Sequence, residues 1–169
     1  MKNKNNNLIL IGMPGAGKST VGVVLAKKCG YRFIDSDLVI QDHYGKLLHE
    51  LIDLEGVDGF LKLEEDVNAS LVSEKSVIAT GGSAVYGDRA MRHLKEAGCI
   101  IYLQLSCQAI AVRLGDLNER GVTLREGQTL EDLYAERVPL YEKYADEIIS
   151  CDEKSIREIV MEIWEKLFL

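Results

Sequence analysis

Gly12-Met13-Pro14-Gly15-Ala16-Gly17-Lys18-Ser19-Thr20 is the stretch whose residue types and spacing most directly imply chemistry. It satisfies the phosphate-binding pattern Gly-x-x-x-x-Gly-Lys-Ser/Thr at every required position. Glycines let the backbone curl until successive N–H groups point inward, which makes an anion nest at the positive end of the helix that follows. Lys18 can reach the terminal phosphates of a nucleoside triphosphate, and the Ser19 hydroxyl is a ligand for the Mg²⁺ that travels with one. The residues expected around the phosphates are Gly15, Ala16, Gly17, Lys18, Ser19 and Thr20.

Three more clusters could do chemistry. Asp35-Ser36-Asp37 follows the short run Arg32-Phe33-Ile34, which places two carboxylates at the carboxyl end of a strand beside the glycine loop. Such a pair can hold Mg²⁺ with one oxygen and a substrate hydroxyl with another. The same residues also suit a helix N-cap ahead of Leu38-Val39-Ile40, and both roles can hold at once. Gly81-Gly82-Ser83 ends the run Ser76 to Thr80, where glycines permit close backbone approach to a ligand or simply form a tight turn. The polar, glycine-punctuated stretch from Asp116 to Gln128 contains Arg120 and is long for a structureless connection. It reads as a closing lid that excludes water and offers positive charge to a transferring phosphoryl group, or as a disordered surface loop.

The elements that must position these groups are legible from periodicity. Leu8-Ile9-Leu10-Ile11 reads as a buried strand and Val21 to Cys29 as a helix, which is the strand–loop–helix context the phosphate motif needs. Helices are expected over Leu47 to Glu55 and Phe60 to Val72, with a break at Gly56 to Gly59 and a solvated polar surface that includes Lys62, Glu64 and Asn68. Strands follow at Ser76 to Thr80 and Cys99 to Gln104, with helices over Arg89 to Ala97 and Gln108 to Leu114. Thr129 with Asp132, and Ser155 with Glu158, have capping-box spacing; Pro139 is expected to kink or restart the helix that runs toward Asp146. Glu147 to Ser150 is a last strand, ahead of a terminal helix. Strands alternating with helices predict an α/β domain with a parallel sheet.

Composition sets the outer bounds. The chain has 169 residues, 47% of them hydrophobic, enough for one globular core. It shows no repeat, no linker and no membrane-length apolar run. The polar start Met1 to Asn7 is no signal peptide, and Cys29, Cys99, Cys107 and Cys151 lack metal-site spacing, so reduced thiols in a cytoplasm are expected. A net charge of −7 gives no reason to expect nucleic acid or membrane partners, so an anionic ligand must be held by a few placed cations.

Taken together the motifs resemble the shikimate kinase family, over essentially the whole chain. The likeness is carried by Gly12 to Thr20, Asp35-Ser36-Asp37, Gly81-Gly82 and Arg137-Val138-Pro139-Leu140-Tyr141, in that order and at that separation. The resemblance implies a P-loop kinase fold over residues 1–169, with a five-stranded parallel sheet, flanking helices and a mobile lid at about 115–128. It implies a monomeric enzyme of aromatic amino acid biosynthesis that uses ATP and Mg²⁺. The reaction would be transfer of the γ-phosphoryl group to a hydroxyl of shikimate, giving ADP and 3-phosphoshikimate. It further implies Asp35 as the Mg²⁺-associated carboxylate beside Ser19, and Asp37 as partner of the acceptor hydroxyl. Gly81 and Gly82 would contact the substrate, Arg137 would pair with its carboxylate, Arg120 would be the lid arginine, and Arg113 would pack on adenine.

Three positions depart from the family pattern. Leu61 stands where an arginine usually follows the phenylalanine matched by Phe60; Ser83 replaces a third glycine; and Arg120-Gly121-Val122 replaces Arg-Pro-Leu. The first two bear on acceptor recognition. Other readings are therefore a kinase of another polyol acid such as gluconate, or a nucleotide-binding regulatory module that turns over no acceptor.

Overall fold

The computed structural model describes residues 6–115 and 122–169. Five parallel strands form one sheet in the order β2-β3-β1-β4-β5: β1 Asn7–Ile11, β2 Arg32–Asp35, β3 Ser76–Ala79, β4 Gly98–Gln104 and β5 Glu147–Ser150. The helices are α1 Lys18–Cys29, α2 Ser36–Tyr44, α3 Leu48–Ser70, α4 Asp88–Ala97, α5 Cys107–Leu114, α6 Leu130–Tyr144 and α7 Ile156–Phe168, with a 3₁₀ turn at Ala84–Tyr86. Strand β1 is central and has no exposed residue, as an all-apolar run must be when helices cover both faces of a parallel sheet. Parallel register brings the carboxyl ends of β1, β2 and β3 to one edge, with Asp35 opposite Ala79 and Ala79 opposite Leu10. The glycine loop, the Asp35–Asp37 pair and the Gly81-Gly82 run therefore emerge side by side.

Several local expectations change in the folded chain. Asn7, read from sequence as part of a polar tail, begins β1 and is fully buried. Its amide donates to the Ser73 and Ala97 carbonyls while its Oδ1 accepts from the Ser76 N–H, so it stitches three segments at the amino end of the sheet. The break expected at Gly56 to Gly59 between two helical runs is present but narrowed to one non-helical residue, Gly56 (φ 71°, ψ 175°), where α3 kinks. The helix resumes at once because Leu51, Phe60 and Val67 pack with Ile40 of α2 into a small second core. Its polar surface is also narrower than expected, since Glu64 and Asn68 share the buried face with Phe60 and Val67.

Helix α6 runs straight through Pro139. Proline removes one backbone donor and crowds the carbonyl four residues earlier, a cost of about 3 kcal/mol. Leu133, Arg137, Tyr141 and Tyr144 offset it by burying one continuous face at i, i+4, i+8 and i+11 while Pro139 looks outward. Both expected capping boxes form, with Asp132 N bonded to Thr129 Oγ1 and Glu158 N to Ser155 Oγ. Among the described residues no helix is long and apolar enough to cross a membrane.

Candidate active site

The nucleotide half of the site is built by the turn from β1 into α1. At Gly12 (φ 148°) a Cβ would stand 2.8 Å from the Leu103 carbonyl oxygen of the neighbouring strand, so only glycine lets the loop leave the sheet here. Helix α1 starts after Gly17 with no side-chain cap and no acidic residue in its first turn. Its free N–H groups and positive dipole end thus stay open toward the loop, which is the arrangement an anion requires. Lys18 is 8% exposed and its Nζ donates to the Gly12 and Met13 carbonyls at 2.7 and 2.8 Å, which folds the lysine back over the loop. Ser19 Oγ donates to Asp35 Oδ2 at 3.2 Å. The other carboxylate oxygen of Asp35 accepts from Asp37 N at 3.0 Å, so Asp35, rather than Asp37, caps helix α2.

The cleft above this loop encloses about 320 Å³ and is lined by Gly15, Gly17, Lys18, Ser19, Thr20, Asp37, Gly81, Gly82 and Arg137 from the expected set. Ala16 is buried within the loop, and Asp35 sits behind Ser19. Arg113 is exposed beside the loop and donates to the Gly15 carbonyl at 3.2 Å. Arg120 lies outside the described residues, as do all the positions between it and Gly115. Arg137 is 1% exposed. Its Nε donates to Tyr86 OH at 3.3 Å, its Nη2 donates to the Thr123 carbonyl at 3.2 Å, and its guanidinium lies 5.3 Å from the Tyr86 ring centre. Tyr141, one turn further along α6, donates to the Gly82 carbonyl at 2.6 Å and ties that helix to the glycine run.

Gly81 and Gly82 thread between the acids and the arginine. A Cβ on Gly82 would lie 2.9 Å from Arg137 Nη1, and one on Gly81 would lie 2.7 Å from both Asp37 Oδ1 and Glu64 Oε2. The colliding atoms on the Gly81 side are tips of flexible side chains, so Gly81→Ala should displace two carboxylates without unfolding the chain. We expect kcat/KM for the acceptor to fall by about 10²-fold, the size of loss an ångström-scale misplacement causes, while nucleotide binding persists. Steady-state kinetics with each substrate varied would check this; an unchanged acceptor kcat/KM would show that the gap is not used.

Sequence reasoning missed Glu64 and Tyr86, and it named Ser83 and Tyr141 only as motif positions without their contacts. Glu64 is 2% exposed and lines the cleft, with its Oε1 accepting from Ser83 Oγ at 2.6 Å. Its signal was present in the i, i+4, i+7, i+8 series Phe60, Glu64, Val67, Asn68, which is the buried stripe of α3. Lys62, the cation next to Leu61, is exposed and outside the cleft, and Leu61 instead lines a small separate pocket with Val57, Tyr86, Thr123 and Arg125. Among the described lining residues the cations are Lys18 and Arg137.

Burial dominates the electrostatics. It pushes Asp37 up to about 6, with the Asp35 charge adding and Lys18 opposing. It pushes Glu64 up to about 7, against the Ser83 hydrogen bond, with Asp37 adding and Arg137 and Lys18 opposing. It lowers Lys18 to about 8, against the attraction of Asp37. Three titrating groups displaced toward neutrality in one cleft mark a place built for charge rearrangement. Chemically, the arrangement offers a phosphate cradle with a lysine, a carboxylate pair beside it, and a buried planar cation across a glycine run.

Comparison with known proteins gives a consistent answer. The family model described as Shikimate kinase matches residues 14–168. A shikimate kinase of Pseudomonas aeruginosa is 39% identical over 95% of this chain and 95% of its own length. One of Francisella tularensis subsp. novicida is 37% identical over 95% of this chain and 93% of its own. Among solved structures, shikimate kinase from Acinetobacter baumannii in complex with shikimate superposes with a TM-score of 0.88 at 32% identity, covering 98% of this chain and 94% of that one.

Proposed function

The chain belongs to the shikimate kinase family, and from that premise we propose how its cleft transfers a phosphoryl group to a hydroxyl of shikimate. The observation that carries the reading is the facing of two halves in one cleft: Lys18 and the open end of α1 on one side, Asp37, Gly81-Gly82 and Arg137 on the other. ATP is the donor that suits the loop, with Gly15, Ala16, Gly17, Lys18, Ser19 and Thr20 around its phosphates and Arg113 at the loop's outer rim. Products are then ADP and 3-phosphoshikimate.

The residues divide the work. Lys18 sits where charge grows on the transferred group, in a water-poor setting where that charge is most sensitive to a fixed cation. Asp37 accepts the hydrogen bond of the acceptor hydroxyl and takes its proton as the bond to phosphorus forms; with a pKa of about 6 it is ionised at neutral pH and still basic enough to serve. Arg137 presents a pre-oriented planar fork to the substrate carboxylate, held by Tyr86 and Thr123 so that little side-chain freedom is lost on binding. Ser19 and Asp35 fit Mg²⁺: a hydroxyl and a carboxylate are hard oxygen donors, and they already converge at 3.2 Å. Bound there, Mg²⁺ would neutralise phosphate charge. Arg120, outside the described residues, is proposed to add positive charge to the transferring group. Four free, scattered thiols fit a reducing cytoplasm.

An acceptor panel tests this reading. With ATP and Mg²⁺, shikimate is expected to give acceptor-dependent ADP release and gluconate is expected to give none. Turnover of gluconate alone would transfer the reading to another polyol acid. Nucleotide binding with no acceptor-dependent release would reduce the protein to a nucleotide-binding module.

A further inference from the structure

Glu64 is the more deeply buried of the two acids that line the cleft. It enters from α3 at 2% exposure, and among the described residues no lysine, arginine or histidine forms an ion pair with it. Ser83 Oγ donates to its Oε1 at 2.6 Å, while its Oε2 and Asp37 Oδ1 each lie 2.7 Å from where a Cβ on Gly81 would stand, all three residues lining the cleft. The groups facing it are Asp37 from α2, Lys18 from α1, Arg137 from α6 and the Ser83 hydroxyl. On α4, which also packs against α3, Arg89 is engaged with Glu65 and Asp66 at the surface and His93 with the Leu71 carbonyl. Leu61, three residues before Glu64 on the same helix, contributes no charge, and Lys62 is exposed.

Two carboxylates already crowd Gly81, and a carboxylated acceptor brings a third. An ionised Glu64 would repel both the acceptor and Asp37. The neutral acid does the opposite, since a protonated carboxyl has one O–H to donate, and with Ser83 on Oε1 that donor sits on Oε2, toward the cleft. Resting on shikimate as the acceptor, we infer that Glu64 is a specificity-determining residue of the acceptor site. As the neutral acid it donates Oε2–H to the acceptor across from Arg137, so that binding takes up one proton from solution. No covalent bond is made or broken: a solvent proton joins Glu64 on binding and returns when the product leaves. Burial and Asp37 have already brought Glu64 to about 7, so the proton is readily gained near neutrality. The device also explains why Ser83 stands at the end of the glycine run. Its hydroxyl fixes which oxygen carries the proton, a task that a third glycine could not perform.

Isothermal titration of shikimate into the wild-type protein, in HEPES and in Tris at the same pH, reads the proton directly. At pH 8 close to one proton should be taken up per shikimate, falling toward zero at pH 6. The shikimate Kd should rise by up to tenfold per pH unit above about 7. Glu64→Gln keeps a donor but cannot titrate, so proton uptake should vanish and Kd should stay flat between pH 7 and pH 8. Ser83→Ala should move the onset of weakening to higher pH, because its hydrogen bond favours the charged form. A wild type that binds and phosphorylates shikimate without proton uptake overturns the assignment of Glu64 alone, as does uptake that persists in Glu64→Gln. A wild type that does not phosphorylate shikimate at all overturns it together with the reading beneath it.

Discussion

Asp37→Asn is expected to lose about 10²–10⁴-fold in kcat, the contribution of a positioned general base, while the protein becomes more stable. The two effects share a cause. Asp37 is raised from 3.8 to about 6, first by burial and then by Asp35. The folded chain therefore binds its proton more tightly than the unfolded chain does. That contribution to stability is fully present below about pH 4 and is lost as pH rises through about 6. At neutral pH the ionised form costs up to about 3 kcal/mol relative to the neutral one. Asparagine is nearly isosteric and never ionises, so part of that cost disappears; the gain is smaller than the whole because Lys18 loses an attractive neighbour. Urea denaturation without Mg²⁺ should show the variant ahead of wild type at pH 7.5, with the advantage gone at pH 4. Near-normal turnover would remove Asp37 from the mechanism, and lower stability at pH 7.5 would contradict the account of its burial.

Lys18→Ala should reduce phosphoryl transfer by about 10³-fold or more, since a single preorganised charge aimed at the developing charge is worth that much in a water-excluded site. The fold should survive. Val21, Leu25 and Ala26 of α1 are buried in the main core, and they stay there when the lysine is removed. What is lost structurally is the donor to the Gly12 and Met13 carbonyls, a cost of about 1–3 kcal/mol. In a chain of this size that lowers the melting temperature by several degrees. Single-turnover assays at saturating ATP, with a thermal melt alongside, would separate the two losses. A melt that shows no folded state would mean that the lysine also holds the loop together.

The glycine loop was legible because each required residue lies within a few positions of the next. Its flanking strand and helix are likewise local patterns, a short continuous apolar run and a 3.6-residue period. The two capping boxes were legible for the same reason, and both formed. Glu64 was misread as surface because a carboxylate in a polar stretch is usually solvated; only its register with Phe60 hinted otherwise. Asp35-Ser36-Asp37 reads from sequence as site and helix cap alike, and only the contacts with Ser19 and Asp37 N show that the capping carboxylate is Asp35.

From sequence alone, then, the order of strands and helices, the phosphate cradle and the family pattern were determined, because each depends on spacing along the chain. Only the folded structure decided which polar groups leave water. Asn7 is buried where three segments meet, Arg137 is drawn into the cleft by a helix that crosses Pro139, and Glu64 reaches Gly81 from a helix on which Lys62 looks outward. Burial is a property of what packs around a residue, so segments far apart in the chain had to come together before it existed.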